Sequence, residues 1–110
     1  MQSDEIDIIA IGPPGVRVIE VKHWSGEWIG EHRFDVEREA DLVTSKSKKV
    51  GTTLRKELRK LPHVSAVFFL TQEAAKVKRF AGETIRGVTL YGWARWKDII
   101  GLDGPRALEP

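Results

Sequence analysis

Three side chains near the start of the chain have the types and spacing for metal-assisted chemistry: Asp7, Glu20 and Lys22. They lie in a string where two runs rich in Ile and Val flank Gly12-Pro13-Pro14-Gly15, which signals a β-hairpin. Proline is poor at the second inner position of a type I turn, while glycine there suits type II. Pro14-Gly15 is therefore the expected turn core. If Ile11 faces Val16, paired positions sum to 27, and Asp7 falls directly opposite Glu20. Facing residues have Cβ atoms about 4.5–5.5 Å apart, where like charges are destabilising. Both carboxylates then share a face with Ile9, Ile11, Val16 and Val18, and Lys22 points the same way. The other face carries Ile6, Ile8, Ile19 and Val21, and strands apolar on both faces are expected to be central and buried. Two acids so placed need a counter-charge. A divalent metal supplies it, with Lys22 as its cationic neighbour. The bland alternative is an Asp7 solvated at a strand end and a Glu20 paired with Lys22 or Arg17 at an edge. A one-residue slip in pairing would also separate the acids.

The elements that must position these residues follow along the chain. His23-Trp24-Ser25-Gly26 leads into a short strand candidate, Glu27-Trp28-Ile29-Gly30. Residues 23–41 then become acidic, with Glu27, Glu31, Asp35, Glu37, Glu39 and Asp41 against Arg33 and Arg38. Some of these acids could be extra metal ligands, or a gate repelling nucleic acid until metal binds; a solvated connection is the plainer expectation. His23 is expected to be a packing residue, while His32 and His63 have no partner at metal-binding spacing. Trp24 and Trp28 read as core or edge packing, although one could stack on a base.

Residues 44–61 hold the clearest helix, capped by Thr44 or Ser45, with Val50, Leu54, Leu58 and Leu61 at helical spacing and Pro62 as its stop. Its polar surface is basic: Lys46, Lys48, Lys49, Arg55, Lys56, Arg59 and Lys60 against Glu57 alone. Such a face either binds nucleic-acid phosphates or is an ordinary solvated helix surface. Val64 to Thr71 reads as a buried strand, Gln72 to Phe80 as a short helix, Gly87 to Tyr91 as a strand and Trp93 to Ile100 as a closing helix. This order gives an α/β sandwich, a mixed sheet flanked by helices.

Bulk properties set the outer limits. With 110 residues and 41% hydrophobic content, the chain makes one small domain with a single core. We read residues 1–100 as the domain and 101–110 as a tail or linker that could lead to a fused partner domain. The net charge of +2 says little about partners. Zero cysteines exclude disulfides and thiolate metal sites, and suit a reducing cytoplasm. No window approaches the roughly 18 apolar residues of a membrane span, and the N-terminus lacks the regions of a signal peptide.

The same residues carry a resemblance. Glu5-Ile6-Asp7, Gly12-Pro13-Pro14-Gly15-Val16 and Ile19-Glu20-Val21-Lys22, with Trp24-Ser25-Gly26 following, resemble the nuclease-related domain, NERD, of the PD-(D/E)xK nuclease superfamily. The match is dense over residues 5–30 and looser as far as about residue 100. It implies a restriction-endonuclease-like fold, here without the N-terminal helix and first strand with which such domains usually begin. That helix usually carries a further acid, a role Glu5 or Asp4 could take over; in the register above Glu5 faces Lys22, so an ion pair is its plainer role. Such domains often have a glutamine near the start of the following helix, where Lys46 stands in this chain.

The implied chemistry is hydrolysis of phosphodiester bonds in DNA or RNA. Asp7 and Glu20 would hold Mg²⁺ or Mn²⁺, the Val21 carbonyl would be a third ligand, and Lys22 would assist the attacking water. Lys46, Lys48, Lys49, Arg55, Lys56 and Arg59 would bind the nucleic-acid backbone. A non-catalytic nucleic-acid-binding or regulatory module is the alternative, since such domains occur fused to kinase or helicase domains. A nucleotide site at Gly12 to Gly15 is set aside: it lacks phosphate-loop spacing, and two prolines remove backbone donors.

Overall fold

Alternating apolar residues in the first half of the chain fold as expected into a hairpin, and the rest of the molecule is layered on its second strand. A computed structural model describes residues 6–12, 15–57 and 63–92. Strand β1 (Ile8–Gly12) pairs antiparallel with β2 (Gly15–Lys22), with Ile8 facing Ile19, Ile11 facing Val16 and Gly12 facing Gly15. The expected register therefore holds for these pairs, from Ile8 to Ile19, while Asp7 lies in a bend outside the ladder. Of the expected turn core Pro14-Gly15, Pro14 lies outside the described residues with Pro13, while Gly15 is already the first residue of β2, paired with Gly12.

Helix α1 (Gly26–Glu31) and helix α2 (Arg33–Glu57) follow, then β3 (Val64–Leu70), the short helix α3 (Ala74–Val77), β4 (Thr84–Ile85) and β5 (Val88–Tyr91). The five strands form one mixed sheet in the order β1-β2-β3-β5-β4, parallel from β2 through β3 to β5 and antiparallel at both edges. This is the α/β architecture expected, with a mixed sheet and helices of the restriction-endonuclease-like kind.

One face of the sheet holds most of the core. Val18 of β2, Ala66, Phe68 and Leu70 of β3, and Val88 and Leu90 of β5 meet Ile29 of α1 and Val36, Ala40 and Val43 of α2. Burying such side chains contributes about 1.5–3 kcal/mol each. The opposite face carries a smaller cluster around Ile19 and Val67, joined by Ala10, Phe69 and Tyr91. The expected closing helix at 93–100 and the tail at 101–110 lie outside the described residues.

Three expectations are corrected. First, β2 is central and buried but β1 is an edge strand: Ile8, Ile9 and Ile11 are exposed, Ile11 at 75%. Its apolar composition resembles that of a core strand, while position in the sheet is set by which strands find partners. Second, residues 27–30 are helical. Ser25 Oγ accepts from the Trp28 amide at 3.1 Å and Glu27 sits in the first turn, so capping outweighs the strand preference of Trp and Ile. Third, α2 starts at Arg33, and Thr44 and Ser45 are mid-helix rather than caps. The acidic stretch is therefore partly helix, because Val36, Ala40, Val43 and Ser47 continue a buried stripe toward the N-terminus. Leu58, Arg59, Lys60, Leu61 and Pro62 lie outside the described residues.

Candidate functional site

The site is built on the end of β2. Glu20 and Lys22 alternate with Val21, so both side chains lie on the face covered by α2, as Val18 does. On one side, β3 holds this segment in parallel register, with Glu20 beside Phe68 and Lys22 beside Leu70. Beyond the strand ends, the Thr71 amide donates to the Lys22 carbonyl at 3.0 Å, and His23 Nδ1 meets Thr71 Oγ1 at 2.7 Å. His23 is thus tied to β3's end by a hydrogen bond, and it is exposed rather than the packing residue expected.

Glu20 is 8% exposed, one of two buried polar residues among those described. A buried carboxylate is costly without compensation. Its partner is Lys46, reaching in from α2 with Nζ 2.8 Å from Oε1. The side chains of both are deeply shielded, 14% exposed for Lys46 and 11% for Glu20. Lys22 has a helix partner as well: Nζ lies 2.5 Å from Oε1 of Glu39. The same ammonium stands 5.2 Å from the Trp24 ring centroid. Trp24 stacks on Trp28 at 5.1 Å, Trp28 stacks on His32 at 4.4 Å, and Trp24 meets Phe68 edge-on. The two tryptophans are packed, half-buried walls of the site.

Asp7 arrives differently from the simple ladder. It occupies a bend just before β1, and its Oδ2 accepts from the Val21 amide at 2.9 Å. The carboxylate thereby continues the β1–β2 pairing by one bond through its side chain. The bend also brings Ile6 against the helix-side core, onto the side that Ile9 faces. Asp7, Glu20, Val21 and Lys22 are therefore gathered at one end of the hairpin. Glu5, which faces Lys22 in the sequence-derived register, lies outside the described residues, and Lys22 pairs with Glu39.

As a cation site, the donor set consists of hard oxygens. The Lys46 ammonium already fills a cation's role at Glu20. Among the described residues no group of three or more His, Asp or Glu side chains is placed to hold a metal.

Farther along α2 the surface is basic. Lys48, Lys49, Arg55 and Lys56 are exposed, and Lys48 and Arg55 line an open groove of about 680 Å³ with Ser47, Gly51, Thr52, His63 and Val64. Val64 is beside Val16, four strand residues before Glu20, so the groove lies about 13 Å along the sheet from the carboxylate. Arg59 lies outside the described residues. In the sequence Glu39 is one of six acids in a charged stretch, and nothing local singles it out. Among the described residues no helix is long and apolar enough to cross a membrane.

A mixed sheet whose interior strand β2 presents a carboxylate and a lysine two residues apart, beneath a long helix, is an α/β architecture of the restriction-endonuclease-like kind. The family model of the nuclease-related domain, NERD, matches residues 1–70, and the chain belongs to that family. No curated protein and no solved structure matches it.

Proposed function

We propose that the chain is a divalent-metal-dependent phosphodiesterase acting on DNA or RNA. The observation that carries this reading is the placement on β2 of a core carboxylate, Glu20, with Lys22 two residues on along the same face, the intervening Val21 amide being held by the Asp7 carboxylate. In this reading Asp7 and Glu20 hold Mg²⁺ or Mn²⁺, with the Val21 carbonyl as a further ligand. The ion, when bound, supplies positive charge to a phosphate oxygen and lowers the pKa of a water. Lys22 orients that water and offsets charge growing on the phosphate, once its ammonium turns from Glu39. Lys48, Lys49, Arg55 and Lys56 take the flanking phosphates along α2, and Trp24 fixes the height of the Lys22 ammonium.

A second reading has its own support: a nucleic-acid-binding or regulatory module without catalysis. Lys46 on Glu20 and Glu39 on Lys22 neutralise both charged residues that β2 turns toward α2, as a structural pair would.

Cleavage of plasmid and single-stranded DNA with Mg²⁺ or Mn²⁺, for wild type, Asp7→Ala and Lys22→Ala, separates the two. Metal-dependent cleavage lost in both variants supports the nuclease. Salt-sensitive binding that survives EDTA, with no cleavage by the wild type, supports the module.

A further inference from the structure

We propose that Lys46 is a resident counter-cation whose ammonium competes with a divalent metal for Glu20, and so sets the metal affinity of the site. The proposal rests on the metal-site reading above. Glu20 sits in the core, and its carboxylate is bonded to the Lys46 ammonium, 2.8 Å away. A divalent ion on the same carboxylate would bring like charges within a few ångströms of each other in a poorly solvated pocket. The two cations therefore bind against one another.

Exchange has a route that leaves the fold intact. The Lys46 side chain lines an apolar groove of about 330 Å³ between β1 and α2, with Ile6, Ile9, Val50 and Leu54 among its walls. The methylene stem can stay against these walls while the ammonium swings from Glu20 toward solvent. Lys22 does not substitute for it, because its own ammonium is bound to Glu39. Lys46 thus acts as a positioning residue: it keeps Glu20 compensated without metal and must release it when metal arrives.

The test is titration of the full chain with MnCl₂ by calorimetry, for wild type, Lys46→Gln, Lys46→Met and Glu20→Gln, with metal-free melting curves alongside. Lys46→Gln keeps a hydrogen-bond donor near Glu20 and guards against misfolding of the methionine variant. The expected result is Mn²⁺ binding about tenfold tighter in the Lys46 variants and lost in Glu20→Gln. Their metal-free melting temperature falls, and saturating Mn²⁺ raises it more than it raises that of wild type. Binding detected in the Lys46 variants but too weak to detect in wild type supports the proposal too. Equal or weaker binding in Lys46→Gln, with Glu20→Gln still abolishing it, overturns the role of Lys46 and leaves the metal site standing. Mn²⁺ binding absent throughout, or indifferent to Glu20→Gln, overturns the metal reading itself.

Discussion

Glu39 and Lys46 stand seven residues apart on one helix and bind, in reverse order, the two charges that β2 presents two residues apart, Lys22 and Glu20. Two helical turns advance about 10.5 Å, whereas two strand residues advance about 6.6 Å, so the long side chains take up the difference. The reverse order means that α2 descends the sheet as β2 ascends it. A strand reading acid-then-base is thereby matched by a helix reading acid-then-base in the opposite direction. This arrangement couples the charge state of the candidate site to the seating of α2 on the sheet.

The coupling is measurable as stability. Lys46→Met strands a core carboxylate and is expected to cost about 2–4 kcal/mol, close to the range for breaking a buried pair. Adding Glu20→Gln removes the stranded charge, so the double variant should recover part of the loss. Denaturant unfolding of the four proteins should give an interaction energy of at least about 1 kcal/mol. Strict additivity would mean the pair in the structure has no energetic content.

The basic groove makes a separate prediction about binding. Lys48→Ala and Arg55→Ala are expected to weaken binding to unrelated DNA sequences alike, and each to lower the slope of log affinity against log salt by about 1. Fluorescence anisotropy over a salt series measures both quantities. An unchanged slope in both variants would remove the groove from the binding surface.

Edge strand β1 yields a prediction in the opposite sense, a large apolar residue whose loss is harmless. Ile11 is 75% exposed, so Ile11→Thr is expected to change folding stability by less than about 0.5 kcal/mol. Its benefit should appear as reduced light scattering on heating, because unpaired apolar edges seed strand-to-strand association.

How much was legible in the sequence differs by element. The β1–β2 register could be read because Gly12 and Gly15 bracket the turn and the flanking residues alternate. Burial of β1 could not, since its triple isoleucine suits either an interior or an edge position and only the sheet order decides. The early start of α2 was masked by composition: Ala40 and Ser47 occupy stripe positions that a search for large apolar residues passes over. Ser25 did carry a readable cap for α1, against the local strand preference of Trp28 and Ile29. Lys46 reads both as a residue of the basic helix and, through the resemblance, as standing where such domains carry a glutamine facing the site; its contact with Glu20 spans 26 positions and follows from packing α2 on β2. The Glu39 contact is the same case with the sign reversed.

The register that positions Glu20 depends in turn on Gly15, and this can be tested against another glycine of the same chain. Gly15 has φ +128°, and a Cβ there would lie 2.5 Å from the His63 carbonyl oxygen. That oxygen cannot readily withdraw, because it accepts the Val16 amide at 2.8 Å and locks the start of β2 to the residue before β3. Gly15→Ala therefore combines backbone strain with a backbone clash, and is expected to cost more than about 2 kcal/mol. Gly82 has φ +88° but nothing within 4 Å of the same Cβ position, so Gly82→Ala should cost only about 1 kcal/mol, from strain alone. Chemical denaturation of both variants compares them directly. Equal losses would show that the close approach of His63 to Gly15 does not constrain the hairpin. A larger loss at Gly15 would tie the placement of Glu20 to a contact at the far end of its strand.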